Sequence, residues 1–244
     1  MKKEKLINYI EDKFSLELQE EWDCCGFQID CNDNYDKVLI CLDITPKIAN
    51  YAIRENVDLI ISHHPLIFQN YAKTDKYLRN VFHNLYANDV SVYSLHTNYD
   101  NHNYGMNYAY IDRLGYEVIN SDCMIKMFNA NLSLIDKILE VNKDVRIYNK
   151  KADINKVGVV LGAGGSFIEK AIACECDAFI SSEFKHNEIN KAKENDLMLI
   201  DVTHQSEVIF SNEIANFLSC FDDIEIIVYK DNYDVISINK EISK

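Results

Sequence analysis

The chain has 244 residues, 48% of them hydrophobic and 26% charged, which is enough for one large or two small globular domains. The formal net charge is -14. Because non-specific nucleic-acid binding needs a basic surface, and anionic membranes repel an acidic one, we expect neither DNA, RNA nor a membrane as a partner.

The N-terminal segment predicts an amphipathic helix with Leu6, Ile7, Ile10 and Phe14 on one face. It lacks the apolar core of a secretion signal, and no stretch of the chain is apolar for the length of a membrane span. The eight cysteines include no CxxC pair. This pattern disfavours a structural zinc site and predicts reduced thiols in a cytoplasmic protein.

Two segments of the chain resemble each other at a constant shift of 119 residues. Residues 38–62 and 157–181 share seven identities, and each reads as an apolar strand, a turn, an amphipathic helix and a second apolar strand. Each is therefore a predicted βαβ unit, followed by a further helix and strand. The alternative is that any two such units look alike, but the identities favour a true duplication.

We predict an α/β fold with two related halves, residues 1–122 and residues 123–244. Thr45 and Pro46 are typical of a helix start in the first half, and Gly162, Gly164 and Gly165 form a turn before a helix near Ser166 in the second. Continuous apolar strands predict mixed sheets that are largely buried on both faces. The last strands, IEIIVY (224–229) and VISIN (235–239), are expected to complete the second half.

Histidine or glutamate follows four of the predicted strands. The residues concerned are His63-His64, His96 with Asp100, Glu183 with His186, and His204 with Glu207. In open α/β sheets the carboxyl ends of strands are where ligands bind, and imidazole and carboxylate are standard ligands of divalent metals. The pattern therefore predicts a metal site, in which a carboxylate can bridge two ions.

Simpler interpretations exist for the individual residues. A single histidine at a strand end usually makes a hydrogen bond, and Asp100 could cap a helix starting near Asn103. We interpret His83 and His102 as surface residues. The stretch LGAGGS (161–166) could cradle a phosphate, but it lacks the lysine of a P-loop, and a tight turn is the preferred interpretation.

Several segments resemble the NIF-three-like dinuclear-metal proteins, also called GTP cyclohydrolase type 2 homologues. Trp22-Asp23 with Gly26-Phe27 is similar to the family's Trp-Asp-Asn-x-Gly-Leu motif. The other matching segments are LDITP (42–46), DLIISHHPLIF (58–68), HTNYDNHNYGMN (96–107), SSEFKH (181–186) and DVTHQSE (201–207). Together they span nearly the whole chain.

The resemblance implies a metal centre and an assembly. By resemblance, the ligands of two divalent ions (zinc, iron, manganese, cobalt or nickel) are His63, His64, Asp100, His204 and Glu207. His96 would lie beside the metals, and we expect Glu183 and His186 to support the ligands. Because the ligands come from both halves, we expect the site in the cleft between them. The family also implies a homohexamer.

Two departures from the family pattern affect the site. His204 and Glu207 are three residues apart, where four are usual, although both spacings put the pair on one face of a helix. Cys24 replaces the usual asparagine and cannot repeat its hydrogen bonds.

Two functions fit these observations. The first is a metal-dependent hydrolase acting on a small molecule or nucleotide, either by GTP ring opening, as the family name implies, or on a phosphoester or cyclic amide. The alternative is a non-catalytic hexameric metal-binding scaffold or metal carrier. The sequence assigns no catalytic residue.

Overall fold

The computed structural model describes residues 1–68, 73–122 and 124–230. Its helices, in chain order, are α1 (Lys3–Lys13), α2 (Pro46–Arg54), α3 (Lys76–Ala87), α4 (Thr97–Asn101), α5 (Met106–Arg113), α6 (Leu134–Val141), α7 (Ile168–Ala173), α8 (His186–Glu194) and α9 (Ile209–Leu218). Short 3-10 helices include Leu16–Leu18, Gly164–Phe167 and His204–Val208.

Strands alternate with helices through the two predicted βαβ units and the helix and strand that follow each of them. The strands are β1 (Gly26–Ile29), β2 (Lys37–Cys41), β3 (Leu59–Ser62), β4 (Ser91–Ser94), β5 (Asn120–Asp122), β6 (Ile125–Asn129), β7 (Arg146–Tyr148), β8 (Lys156–Val159), β9 (Ala178–Ser181), β10 (Met198–Asp201) and β11 (Glu225–Val228).

The described part of the chain forms two sheets. The first has the order β1-β4-β3-β2-β11, with β1 antiparallel to β4 and the other neighbours parallel. The second has the order β5-β6-β8-β9-β10-β7, with a parallel centre (β8, β9, β10) and antiparallel pairing of β6 to β8 and of β7 to β10. The predicted α/β fold with mixed sheets is confirmed.

Burial explains why the apolar runs become strands. Every residue of β3, β4, β9 and β10 is buried, as expected for strands covered on both faces. In the first sheet, Leu39 and Ile60 pack in one core cluster with Ile48 of α2 and Leu85 of α3. The predicted cap of α2 is present, since Thr45 accepts a hydrogen bond from the Ile48 backbone and Pro46 opens the helix.

Each βαβ unit contains the same pair of hydrogen bonds, at equivalent positions. Asp58 Oδ2 accepts from the backbone N–H groups of Asp36 and Lys37, both at 2.8 Å. Asp177 Oδ2, at the shift of 119, accepts from those of Asn155 and Lys156 at 2.9 and 3.0 Å. An aspartate before the second strand thus fixes the start of the first strand in both units, which explains why this identity is retained.

The described chain divides into two compact units. The first comprises Met1–Tyr110, Ser121–Met124 and Glu207–Lys230, and the second contains Ile111–Asn120 and Ile125–Ser206. The expectation that IEIIVY (224–229) completes the second half is wrong, because β11 pairs in parallel with β2 of the first sheet. The predicted division into halves at residues 1–122 and 123–244 stays a prediction. The predicted position of the metal site, in a cleft, also stays a prediction.

Some sequence-based expectations concern other parts of the chain or other properties. The predicted strand VISIN (235–239) lies outside the described residues. No disulfide links the cysteines of the described ranges. Within those ranges, none of the helices has the length and apolar character needed to cross a membrane. The cytoplasmic location stays a prediction.

Candidate metal centre

His63 lies wholly buried directly after β3. Its backbone N–H donates to the carbonyl of Cys41 at 3.2 Å, so the last residue of β2 fixes its position. Its Nδ1 is 2.8 Å from the Leu95 carbonyl oxygen, which can only accept, so Nδ1 carries the proton. Nε2 is therefore free to accept, and it lies 3.7 Å from Asp100 Oδ2 and 4.0 Å from Glu207 Oε1.

His64 continues the strand end and contacts two carboxylates. Its backbone N–H donates to the Leu42 carbonyl at 3.0 Å. Nδ1 is 2.7 Å from Asp43 Oδ1, and Nε2 is 3.2 Å from Glu207 Oε2. The ring is therefore oriented by Asp43 on one side and presents its other nitrogen to Glu207.

His96 lies after β4 and is anchored by a buried aspartate. Its Nδ1 is 2.9 Å from Asp23 Oδ2. Asp23 also accepts from the Thr97 backbone and hydroxyl, from the Cys24 backbone and from the Cys25 thiol. This carboxylate therefore joins the loop after the first 3-10 helix to the end of β4.

Asp100 lies inside α4, one helical turn after His96. Its backbone N–H donates to the His96 carbonyl at 3.0 Å, and its side chain is 11% exposed. The suggested cap of a helix near Asn103 is not observed, since the following helix α5 begins at Met106. Asp100 instead directs Oδ2 at His63.

Glu207 comes from a distant part of the sequence but belongs to the same compact unit as the three histidines. It lies in the 3-10 helix His204–Val208, and its side chain is 4% exposed. In a 3-10 helix, residues three apart eclipse each other. The spacing of three between His204 and Glu207 therefore matches the local helix type.

The three imidazoles share one arrangement, since the Nδ1 atoms of His63, His64 and His96 each face a carbonyl or carboxylate oxygen. A histidine that binds a metal through one nitrogen usually donates from the other to such a group. One nitrogen from each of the three rings lies within 4.8 Å of the other two. This geometry is compatible with a shared metal site.

Electrostatics also distinguish these groups from ordinary surface residues. Burial lowers the pKa of His63 to about 3, so the ring is neutral. Burial alone would lower the pKa of His64, but hydrogen bonds with Asp43 and Glu207 outweigh burial and raise it to about 10. Burial, and then the charge of Glu207, raises the pKa of Asp100 well above its usual range. The cluster therefore crowds negative charge that a cation would stabilise.

The remaining predicted residues lie in the second unit. Glu183 Oε1 is 3.1 Å from His204 Nδ1, so these two form a pair. His186 begins α8, is exposed, and contacts Asn190 of the same helix at 3.3 Å. The ligand role of His204 and the supporting roles of Glu183 and His186 stay predictions.

Sequence reasoning did not assign roles to Asp23 and Asp43. Both occur in segments that it singled out, Trp22-Asp23 and LDITP (42–46). Asp43 also follows a strand end, which is the signal that identified the histidines. Its contact with His64 required the register of β2 against β3, which the sequence does not show.

The glycine stretch LGAGGS forms a packed turn. A Cβ at Gly164 would collide with Ser181 Oγ, and one at Gly165 with the Glu188 carboxylate. A carboxylate against this loop disfavours an anion there, because like charges repel. The geometry supports the turn interpretation over a phosphate cradle.

The comparison with known families decides the relationship. The family model described as Duf34/NIF3 (NGG1p interacting factor 3) matches residues 1–234. The chain belongs to the DUF34/NIF3 family. The resemblance inferred from the sequence motifs is therefore confirmed.

Proteins similar to this DUF34/NIF3 chain match it over most of its length. One from Ureaplasma parvum, named GTP cyclohydrolase 1 type 2 homolog, is 29% identical and the alignment covers 91% of each chain. One from Helicobacter pylori, named GTP cyclohydrolase 1 type 2, is 31% identical, with 85% of this chain and 87% of that protein covered. The structure of reduced HcgD from Methanocaldococcus jannaschii superposes with a TM-score of 0.83 at 26% identity, covering 93% and 97% of the two chains.

Proposed function

We propose that this protein binds two divalent metal ions at the cluster of His63, His64, Asp100 and Glu207, with His204 as a further ligand. One observation carries the proposal. Nε2 of His63 and Oδ1 of Asp100 are buried and have no hydrogen-bond partner among the described residues. Leaving buried polar atoms unpaired costs about 1–3 kcal/mol each, and a metal ion would satisfy both.

The charge of the cluster fits divalent cations. Asp100 and Glu207 bring carboxylates to within 4.0 Å of one buried histidine. Two cations a few ångströms apart repel by several kcal/mol even at an effective dielectric near 20, and a carboxylate that touches both offsets this better than an imidazole. Glu207 is our candidate for that bridge, because its oxygens face His63 and His64 separately.

We further propose that the protein is a hydrolase. When bound, two divalent ions would lower the pKa of a water molecule and polarise an oxygen of the substrate. The chain's own residues orient the ligands, since Asp43, Asp23 and the Leu95 carbonyl hold the three rings. The names of the relatives favour GTP as a substrate, with a phosphoester or cyclic amide as further candidates.

A non-catalytic metal-binding scaffold or carrier is the second candidate. The observation that favours it is that His63, His64 and His96 each already make a hydrogen bond through Nδ1. Rings held in this way would bind an ion firmly, but their Nδ1 atoms are not available to transfer protons. A protein that stores or carries metal needs firm ligands and no group for proton transfer.

Turnover separates the two candidates. We expect metal-loaded protein to hydrolyse GTP or one of a panel of phosphoesters, and the double variant His63→Ala, His64→Ala to lose that activity. His83→Ala is the matched control, because His83 is an exposed histidine on α3. Activity that survives the double substitution would identify a contaminant, and stoichiometric metal binding without turnover would favour the scaffold.

A further inference from the structure

Two aromatic side chains at the candidate metal centre are exposed to solvent. Trp22 is 61% exposed and Phe68 is 40% exposed. Their ring centroids lie 5.9 and 5.3 Å from that of His96, each in a T-shaped arrangement. We call these two residues the aromatic frame. Large exposed apolar groups at a polar site are a feature of ligand binding rather than of folding.

The loop that carries Trp22 is held in place although Trp22 itself is exposed. Beside it, Asp23 is buried and accepts hydrogen bonds from His96, Thr97 and Cys24. The backbone of Glu20 also donates to the Thr97 hydroxyl at 2.9 Å. Trp22 is therefore displayed from a fixed backbone, which reduces the entropy cost of binding a ligand.

The loop that carries Phe68 is tied to the same structure. Gln28 donates to the Cys24 carbonyl at 2.7 Å and accepts from the Ile67 backbone at 3.2 Å. One side chain thus connects Cys24, two residues after Trp22, with Ile67, the residue before Phe68. The Cys24 thiol adds a contact to the Phe68 carbonyl at 3.7 Å.

The chemistry next to the frame defines its ligand. His96 contacts both aromatic rings, and it also lies 5.1 Å from His63 and 5.5 Å from His64, measured between ring centroids. A ligand on the frame would therefore have apolar faces against Trp22 or Phe68 and a polar edge towards the buried atoms of His63 and Asp100. A planar heteroaromatic ring has both properties, because its faces stack and its ring nitrogens or oxygens lie at the edge.

We propose that Trp22 and Phe68 form a stacking subsite for a planar heteroaromatic ring whose polar edge faces the metal centre. This inference rests on the proposed function, since it gives the substrate class of the same site. An aliphatic acid has no ring face to stack and would gain little from this frame. Base–aromatic stacking changes affinity by about tenfold per aromatic side chain.

Trp22 is the only tryptophan of the chain, so its fluorescence reports on this subsite alone. In metal-loaded full-length protein, we expect guanosine to quench Trp22 emission saturably and ribose to leave it unchanged. Phe68→Leu should raise the apparent Kd of guanosine about tenfold. Tyr104→Leu is the matched control, because Tyr104 is 60% exposed and packs on His102 and Tyr108 instead.

Three outcomes would overturn the subsite. These are no quenching by guanosine, equal affinities for wild type and Phe68→Leu, or a free protein in which iodide cannot reach Trp22 because a second copy of the chain covers it. Metal analysis of the same samples separates this proposal from the proposed function. Two bound ions without quenching would refute the subsite alone, and quenching without metal uptake would refute the metal centre alone.

Discussion

Each imidazole of the cluster is held by a partner that can only accept a hydrogen bond from it. Leu95 offers a carbonyl to His63, and Asp43 and Asp23 offer carboxylates to His64 and His96. Such partners fix which ring nitrogen points away from them, and the neutral ring of His63 keeps a lone pair on Nε2. The pKa of His64 is raised to about 10, so this ring must lose a proton when an ion binds. At the scale of single residues, the rings are therefore oriented for ligation before any ion arrives.

Glu207 is the residue on which the second ion depends. Glu207→Gln keeps the shape but removes the charge that offsets the repulsion between two cations. We expect this variant to bind one metal ion or none and to show no hydrolysis, as measured by elemental analysis and turnover. Gln205→Ala, in the same 3-10 helix, is the control and should match the wild type. Two ions retained in Glu207→Gln would place the bridge elsewhere.

Asp177 contributes to stability in a way that depends on pH. Burial would raise its pKa, but the backbone N–H groups of Lys156 and Asn155 and the charge of Lys151 lower it. A carboxylate with a lowered pKa stabilises the fold above its unfolded value, near 3.9, and loses this contribution as the pH falls through its folded value. Asp177→Asn should lower the free energy of unfolding by about 1 kcal/mol at pH 7, because a neutral amide replaces the charged carboxylate. The effect is modest, since the side chain is about a third exposed to solvent.

Chemical denaturation at several pH values tests this expectation. The difference between wild type and Asp177→Asn should begin to shrink below about pH 4 and reach its minimum once the pH lies below the lowered folded pKa of Asp177, where both side chains are neutral. Glu194→Gln, at an exposed position in α8, should be neutral throughout. A difference that stays constant down to acid pH would show that the charge of Asp177 is not the cause.

At the scale of elements, equivalent strand ends of the two halves are followed by polar residues at the same distance. Asp100 follows β4 by six residues, and Glu207 follows β10 by six residues. His64 of the first unit corresponds, at the shift of 119, to Glu183 of the second. The duplicated strand ends therefore hold different side chains, an imidazole and a carboxylate, at equivalent positions.

The turn between α4 and α5 positions Asp100, and it depends on a glycine. A Cβ at Gly105 would collide with the backbone carbonyl of Tyr99, the residue before Asp100. We expect Gly105→Ala to lower the free energy of unfolding by about 1–3 kcal/mol, and to weaken metal binding because α4 must shift. Scanning calorimetry would measure the change in stability, and titration calorimetry would measure the change in metal affinity. Asn103→Ala, at an exposed position, is the control. Unchanged metal affinity in Gly105→Ala would show that α4 does not position the ligand.

Much of this architecture could be predicted because periodicity and strand ends are local signals. Apolar runs predicted β3, β4, β9 and β10, and the residues after these strands supplied the candidate histidines and carboxylates. The partners Asp23 and Asp43 were not predicted, because their contacts depend on register and on loop conformation. The pairing of β11 with β2 was also missed, since sequence order placed it with the nearer sheet.

At the scale of the whole molecule, the chain returns to its first unit at Glu207, after the long second-unit segment Ile125–Ser206. Glu207–Lys230 groups with Met1–Tyr110, so Glu207 is brought to histidines that lie more than a hundred residues earlier. Contacts between segments so far apart in sequence require both segments to be present. The cluster of His63, His64 and Glu207 therefore needs Glu207–Lys230 as well as Met1–Tyr110.

The homohexamer is a proposal that rests on family resemblance. We expect light scattering at micromolar concentration to give a mass about six times the chain mass of 28.3 kDa. Because each chain has its own His63, Asp100 and Glu207, metal content per chain should not change when the assembly is diluted. A mass of about 28 kDa at micromolar concentration would contradict the hexamer.

The number of metal ions per chain tests the metal centre most directly. After the full-length protein is loaded with excess zinc or manganese and desalted, elemental analysis should give two ions per chain. The double variant His63→Ala, His64→Ala should give fewer than one, while His83→Ala should keep two. One ion or fewer per chain in the wild type, or two ions in the double variant, would contradict a dinuclear centre at these residues.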